Sequence, residues 1–317
     1  MQKILITRFW VGDAYKRLEG KYLVDYNPEQ IDGMEQAELL KKMRDADAVI
    51  SFGDSITAEM MEASPNLKVI ADVWHGKGID KDYAKKRGIK IISHSYGMSW
   101  LHNAEVEHLF MLLLAVKRRL READAFVRAG KFIKMEQANQ EMLGYGLKGH
   151  TLGIIGGTAW TGKEIVKRAN AFEMQTVYWD HGFHSNEMEA LGAKALSLEE
   201  LLKIADGIML VVQREDNGGY LLDKEQFSLM KHEAVIVNVT HGHYINEREL
   251  AKAISEGRIY GAGLDKLEKT FTPAQELLSL PSVILTPHSD GAIYSARASL
   301  FEDLVSGVEE TLRQIGN

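Results

Sequence analysis

Apolar positions along this chain form short continuous runs separated by longer stretches with helical spacing, and the alternation occurs twice. In residues 1–92 the runs fall at Ile4–Ile6, Val49–Ile50, Val69–Ile70 and Ile89–Ile92. Between them, Glu35–Met43 and Asp80–Arg87 carry helical spacing, the second stopping at Gly88. Strands that read as unbroken apolar runs are buried on both faces, and strands separated by helices imply a parallel sheet covered on both sides. This predicts a small α/β domain of flavodoxin-like type.

A long helix is expected next, from about Trp100 to Arg128. Val106, Leu109, Phe110, Leu113, Val116 and Leu120 recur at helical spacing, and Leu112–Ala115 widen the stripe until little of the first half is polar. Such a helix is buried, either between domains or against another subunit; it reads as an inter-domain connector and a dimer element. A second series follows. Strands are expected at Leu152–Ile155, Thr176–Trp179, Gly207–Val212, Ala234–Val239, Ile259–Leu264 and Val283–Leu285. Helices are expected from Gly162, at Leu198–Ala205, at Lys224–Met230 and at Glu247–Glu256, the last stopped by Gly257. The final helix, about Ala292–Leu312, lies beyond the last strand and is expected to return to the first domain. The pattern thus predicts an α/β protein of two doubly wound parallel-sheet domains: residues 1–98 with 290–317, and residues 99–289.

The stretch from residue 151 to 180 sharpens this. An apolar run ends in Gly156-Gly157, a helix opens at Gly162, and a second run stops at Asp180, 23 residues after Gly157. A GxGxxG template laid back from Gly162 puts Gly157 first and Ala159 second, so the fingerprint is imperfect. Such a turn lets the backbone approach a pyrophosphate at the helix N-terminus, and the acid accepts hydrogen bonds from ribose hydroxyls. The alternative is an ordinary tight βα turn that binds nothing; strand, helix and acid in register favour a dinucleotide. Gly157, Trp160, Thr161, Gly162 and Asp180 are the candidate contacts. His181 and Gly182 follow the acid, with no arginine to receive a 2′-phosphate, so NAD(H) is expected over NADP(H).

Composition excludes other classes. At 317 residues, 45% hydrophobic and with net charge −7, the chain has room for two cores, and no basic run points to nucleic acid or an anionic membrane. No apolar stretch approaches the roughly 18 residues of a spanning helix. The absence of cysteine excludes disulfides and thiolate metal sites and fits a cytoplasmic protein. Histidines are present, but no HExxH-like spacing suggests a metal.

Ligands of open parallel sheets bind at the carboxyl ends of the strands. Val212 and three segments sit there: Asn238-Val239-Thr240-His241-Gly242, Gly263-Leu264-Asp265 and Thr286-Pro287-His288-Ser289. Val212, Thr240 and Ser289 are further candidate cofactor contacts. NVTHGHYINE, GAGLDKLEK and VILTPHSDGA, with NAEVEH at 103–108 and LGIIGG at the turn, resemble the signature segments of the D-isomer-specific 2-hydroxyacid dehydrogenases. The resemblance covers nearly the whole chain. It implies a flavodoxin-like substrate domain, a Rossmann NAD-binding domain, and hydride exchange between NAD(H) and a 2-hydroxy or 2-oxo acid. By the same resemblance, His288 is the general acid/base and Asp265 the acid that holds the nicotinamide amide. An imidazole suits the proton transfer because its ordinary pKa lies near neutrality.

Departures from the family pattern matter as much. The family's substrate-clamping arginine is replaced by His241, whose ring cannot reproduce a bidentate, permanently charged fork. The family's histidine-orienting glutamate falls at Thr270; Glu268 lies two residues earlier, displaced by about 6.6 Å in an extended segment. The substrate-holding loop is Val73-Trp74-His75-Gly76-Lys77-Gly78, so Trp74, His75 and Lys77 are the candidate substrate contacts, although Lys77 also reads as a solvated lysine. The expectation is a homodimeric NAD-dependent oxidoreductase acting on a small molecule, with His288 and His241 as catalytic residues. The rival is an NAD(H)-binding sensor or scaffold on the same fold, motivated by the two lost positions.

Overall fold

A computed structural model describes the chain except residues 74–75, 94–98, 159–160, 213–218, 270–271 and 317, and the side chains of 99–102 and 316. The chain divides into two compact units, Met1–Leu101 with Ala292–Asn317, and His102–Gly291.

The first unit contains β1 (Lys3–Ile6), β2 (Leu23–Tyr26), α1 (Gln36–Met43), β3 (Ala48–Ile50), α2 (Ala58–Glu62), β4 (Val69–Asp72), α3 (Lys81–Arg87) and β5 (Lys90–Ser93). All described pairings are parallel, in the order β2-β1-β3-β4-β5, the flavodoxin-like winding. Alternating side chains serve the two faces. Ile4, Ile6, Ile50 and Val69 meet Phe301, Leu304, Val305 and Val308 of the last helix, whereas Leu5, Val49 and Ile70 meet Leu39, Met43, Met61 and Ala84. Strand β2 is absent from the sequence reading because it is a partly exposed edge strand with no apolar run. Helix α3 begins where Asp80 accepts the Tyr83 amide, and ends at Gly88 with φ +68°, as expected from its sequence.

In chain order there follow α4 (Ser99–Lys117), α5 (Leu120–Arg128), α6 (Met135–Glu141), β6 (Thr151–Gly156), α7 (Thr161–Ala171), β7 (Gln175–Trp179), α8 (Asn186–Ala190), β8 (Lys194–Ala195), α9 (Leu198–Ile204) and β9 (Gly207–Val211). The second unit closes with α10 (Lys224–Leu229), β10 (Val235–Asn238), α11 (Glu247–Ser255), β11 (Gly261–Leu264), α12 (Gln275–Leu278) and β12 (Val283–Leu285); α13 (Tyr294–Gly316) clusters with the first unit. The strand order β12-β11-β10-β9-β6-β7-β8 is a Rossmann sheet extended by one strand, reversing direction between β6 and β9. Leu152, Ile154, Met209 and Val237 pack on α4 and α7; Ile155, Ile208, Leu210 and Ile236 pack beneath α9 to α11.

The single helix expected over 100–128 is two helices. Arg119 adopts φ +53° between α4 and α5, the Lys117 carbonyl accepts the Tyr145 amide, and the Arg119 guanidinium joins Glu122 to the Glu141 carbonyl. These bonds satisfy groups that a continuous helix would have paired internally. Val106, Leu109, Leu112, Leu113 and Val116 of α4 are buried against the unit's own sheet, whereas Met111 is left exposed.

Candidate active site

The glycine turn is built as its residue types require. Gly156 and Gly157 have φ near +85°, where a side chain is strained, and a Cβ on Gly157 would meet the Val211 side chain. A Cβ on Gly162 would lie 2.5 Å from the Gly157 carbonyl oxygen and crowd the Met188 sulfur, so the helix can close onto the strand only with glycine here. Thr161 is the first residue of α7, and its buried hydroxyl lies 3.3 Å from Glu105 Oε2. Asp180 stands just past β7; its Oδ2 accepts the Thr158 amide (3.1 Å) and hydroxyl (2.5 Å), which ties the turn to the neighbouring strand end. Val212 is buried just past β9, beside the turn across the β6–β9 pairing. A tight backbone cradle at a helix N-terminus with an acid at the next strand end fits a dinucleotide. Trp160 lies outside the described residues, as do Trp74, His75 and Thr270. Lys77 is exposed in the turn after β4.

The segment after β12 wraps around Asp265. The Asp265 carboxylate accepts the Thr286 hydroxyl (2.5 Å), the Ser289 amide (2.9 Å) and hydroxyl (3.3 Å), and the Asp290 amide (3.1 Å). His108 Nε2 lies 3.1 Å from its Oδ1 and 3.1 Å from the Thr286 hydroxyl. Burial alone would push this carboxyl up; the bonds from His108, Thr286 and the two amides outweigh it and hold the group well below the usual carboxylate range. The His288 amide donates to the Asp265 and Thr286 carbonyls, and His288 itself sits at φ +54°. A non-glycine residue held left-handed in this way needs such anchoring.

His288 and His241 come together. They line one cavity of about 480 Å³ with Asp265, Lys266, Leu267, Pro273 and Thr286. His241 precedes a short 3₁₀ turn, Gly242–Tyr244, and its ring stacks on His243 at 5.5 Å. Gly242 fixes its place, because a Cβ there would fall on the backbone of Leu267 and Glu268. Thr240 closes the turn from β10, donating its amide and hydroxyl to Asn238 Oδ1.

Glu268 does not join this cavity. Its Oε1 accepts the Tyr220 hydroxyl (2.7 Å), its amide is held by Glu247, and it lines a separate pocket with Asn246 and Arg248. Three polar residues escaped the sequence reading: Glu105, His108 and Asp290. Burial pushes the Glu105 carboxyl up to about 7; Lys266 opposes, Asp290 reinforces, and the Thr161 hydroxyl opposes. Asp290 Oδ2 pairs with Lys266 Nζ at 2.9 Å, and its Oδ1 lies 3.8 Å from His288 Nε2. The available signal was NAEVEH, whose Glu105 and His108 stand three positions apart on one helix face.

A Rossmann turn, an acid at the second strand end and a histidine-lined cavity at the strand carboxyl ends define an NAD-dependent oxidoreductase. The chain belongs to the D-isomer specific 2-hydroxyacid dehydrogenase family: residues 11–107 match its catalytic domain and residues 110–289 its NAD binding domain. It is 36% identical over 304 residues to a glyoxylate reductase of Thermococcus litoralis, covering 95% of this chain and 90% of that one. A glyoxylate reductase of Pyrococcus furiosus is 34% identical over 304 residues, with 95% and 89% covered. The crystal structure of the TT0316 protein from Thermus thermophilus superposes with a TM-score of 0.83 at 32% identity, covering 99% of this chain and 97% of that one. Function on CH–OH groups with NAD follows from membership, and the sensor reading is not favoured. Among the described residues, no helix is long and apolar enough to cross a membrane.

Proposed function

We propose that this protein reduces a small 2-oxo acid of the glyoxylate class to its 2-hydroxy acid, with His288 giving the proton to the carbonyl oxygen. The observation that carries this reading is the shared cavity of His288 and His241 at the carboxyl ends of the strands. When bound, NADH would supply the hydride to the carbonyl carbon, and the proton from His288 would neutralise the oxygen. Gly157, Trp160, Thr161 and Gly162 would serve the cofactor's pyrophosphate, and Asp180 its adenosine ribose. Val212, Thr240 and Ser289 would border the rest of the nucleotide. Asp265, whose oxygens are taken up by the 286–290 segment, acts on the nicotinamide side chiefly by fixing that segment. His241 would donate one hydrogen bond to the reacting oxygen, a weaker grip than an arginine fork. Trp74, His75 and Lys77 would contact the substrate acid.

A homodimer and a cytoplasmic location complete the reading. The dimer is supported by an apolar groove of about 650 Å³ bordered by Met111, Leu120, Leu277 and Leu278, three of them substantially exposed. Light scattering measures the assembly directly. The activity is tested by titrating NADH fluorescence and then adding 2-oxo acids of graded size. Oxidation of bound NADH by glyoxylate or pyruvate, lost in His288→Ala, is the expected result. Binding without oxidation by any acid would overturn the substrate class.

A further inference from the structure

We propose that Asp290 is the positioning carboxylate of His288, doing here what the family assigns to the glutamate that is missing at Thr270. The inference rests on the reading of His288 as acid/base and deepens it.

Asp290 is held from two directions: its amide donates to Asp265 Oδ2 at 3.1 Å, and Lys266 Nζ binds its Oδ2 at 2.9 Å. That leaves Oδ1 turned to His288, 3.8 Å from Nε2. The carboxylate side chain is 13% exposed and the imidazole 56%, so a fixed, enclosed anion faces a ring that is open to the cavity. At 3.8 Å the contact is longer than a hydrogen bond and is an ion pair when the ring is protonated. Neither rival carboxylate competes. Glu268 is bonded to Tyr220, and Asp265 is saturated by the loop and by His108.

A nearby anion favours the imidazolium, the form that gives up the proton in carbonyl reduction. Among the described residues, the other charged groups around the pair are Lys266, which opposes the effect, Asp265 with His108 behind it, Glu105, which feels both Lys266 and Asp290, and His241 in the same cavity. Lys266 partly cancels the anion, so the ring feels the balance of two opposed charges.

The test is the pH profile of kcat/KM for the full-length enzyme with NADH and glyoxylate, compared with an NMR titration of the His288 ring. In Asp290→Asn the pKa of the acid/base should fall by about one pH unit by both readouts. Turnover at pH 8 should drop roughly tenfold with KM for NADH unchanged, and Asp290→Glu should recover most of the loss. Lys266→Met, which frees Asp290 from its counter-ion, should move the ring the other way and keeps the test open if Asp290→Asn fails to fold. An unmoved histidine in both variants overturns the role of Asp290, as does lost turnover with an unmoved pKa, which marks a merely structural residue. Unchanged turnover in His288→Ala would instead sink the acid/base reading itself, whatever Asp290 does.

Discussion

His108 Nε2 lies 3.1 Å from Asp265 Oδ1, joining helix α4 to the carboxylate around which the His288 segment is wound. The position of His288 therefore depends on a side chain that never reaches the cavity. Asp265→Asn would place its NH2 group against either the Ser289 amide, now on Oδ1, or the Asp290 amide, now on Oδ2, donor facing donor, and would loosen the segment from 286 to 290. A misplacement of about 1 Å at a reacting group costs on the order of 10²-fold, so kcat should fall by about that much while the protein stays folded. His108→Ala, which removes one of several donors, should cost about tenfold. Steady-state kinetics beside circular dichroism would separate loss of placement from loss of fold, and wild-type kcat in Asp265→Asn would refute the anchoring.

Glu105 makes stability depend on pH. Its carboxyl has an ordinary pKa of 4.5 and is pushed up to about 7 by burial. Below pH 4.5 folded and unfolded chains are both protonated there and no penalty exists. Between 4.5 and 7 the folded chain holds more protons, so stability falls as pH rises, and above 7 the full penalty remains. Glu105→Gln keeps an acceptor for Thr161 without the charge. After allowance for partial solvent access, it should stabilise the protein by about 1–2 kcal/mol at pH 8 and by nothing at pH 4.5. Urea unfolding at the two pH values checks this; an equal gain at both would disprove the ionic origin.

Lys117 carries the converse penalty. It is fully buried, with Nζ 3.4 Å from the Glu233 carbonyl and 5.6 Å from the Tyr145 ring centre. Burial lowers its pKa from 10.5 to about 8, against the pull of Asp206 and Glu233. Below pH 8 the ammonium is buried at full cost; from 8 to 10.5 the folded chain holds fewer protons and stability rises. Lys117→Met should therefore stabilise by about 1–3 kcal/mol at pH 7, because Asp206 keeps Lys231 as its partner. The gain should shrink as the pH approaches 10.5. Destabilisation at pH 7 would mean that the amine's contacts outweigh its desolvation.

Both sheets were legible in the sequence because parallel strands buried on two faces leave unbroken apolar runs, as at Ile4–Ile6 and Gly207–Val211. Edge strand β2 left no such run, and the break at Arg119 left no glycine or proline; it is made by long-range bonds to Tyr145 and Glu141. In the site, glycines and the acid at Asp180 carry their signal locally, and the histidines at 241 and 288 sit in recognisable motifs. Glu105, His108 and Asp290 were not legible as site residues. Their contacts are with tertiary neighbours, Thr161, Asp265 and Lys266, that no spacing rule connects. Glu268 stays out of the cavity because Tyr220 takes its carboxylate, which its nearness in sequence to Thr270 does not reveal.

Asp180 gives the sharpest test of the cofactor site. Its Oδ2 is occupied by Thr158, while Oδ1 lies 3.6 Å from His181 Nδ1 at the mouth of the turn. A ribose diol can use the second oxygen, and a 2′-phosphate would meet an enclosed negative charge there. Asp180→Ser removes both effects at once. A hydrogen bond to a carboxylate is worth roughly 1.5–3 kcal/mol, so KM for NADH should rise about tenfold or more. NADPH, relieved of the repulsion and offered His181, should become a usable cofactor. The preference, taken as the ratio of kcat/KM for NADH over NADPH, should fall by roughly two orders of magnitude, with kcat on NADH changed little because the acid is remote from the proton transfer. If the ratio stays fixed while the protein loses stability, Asp180 serves only to brace Thr158, and selection against the 2′-phosphate must come from elsewhere in the turn.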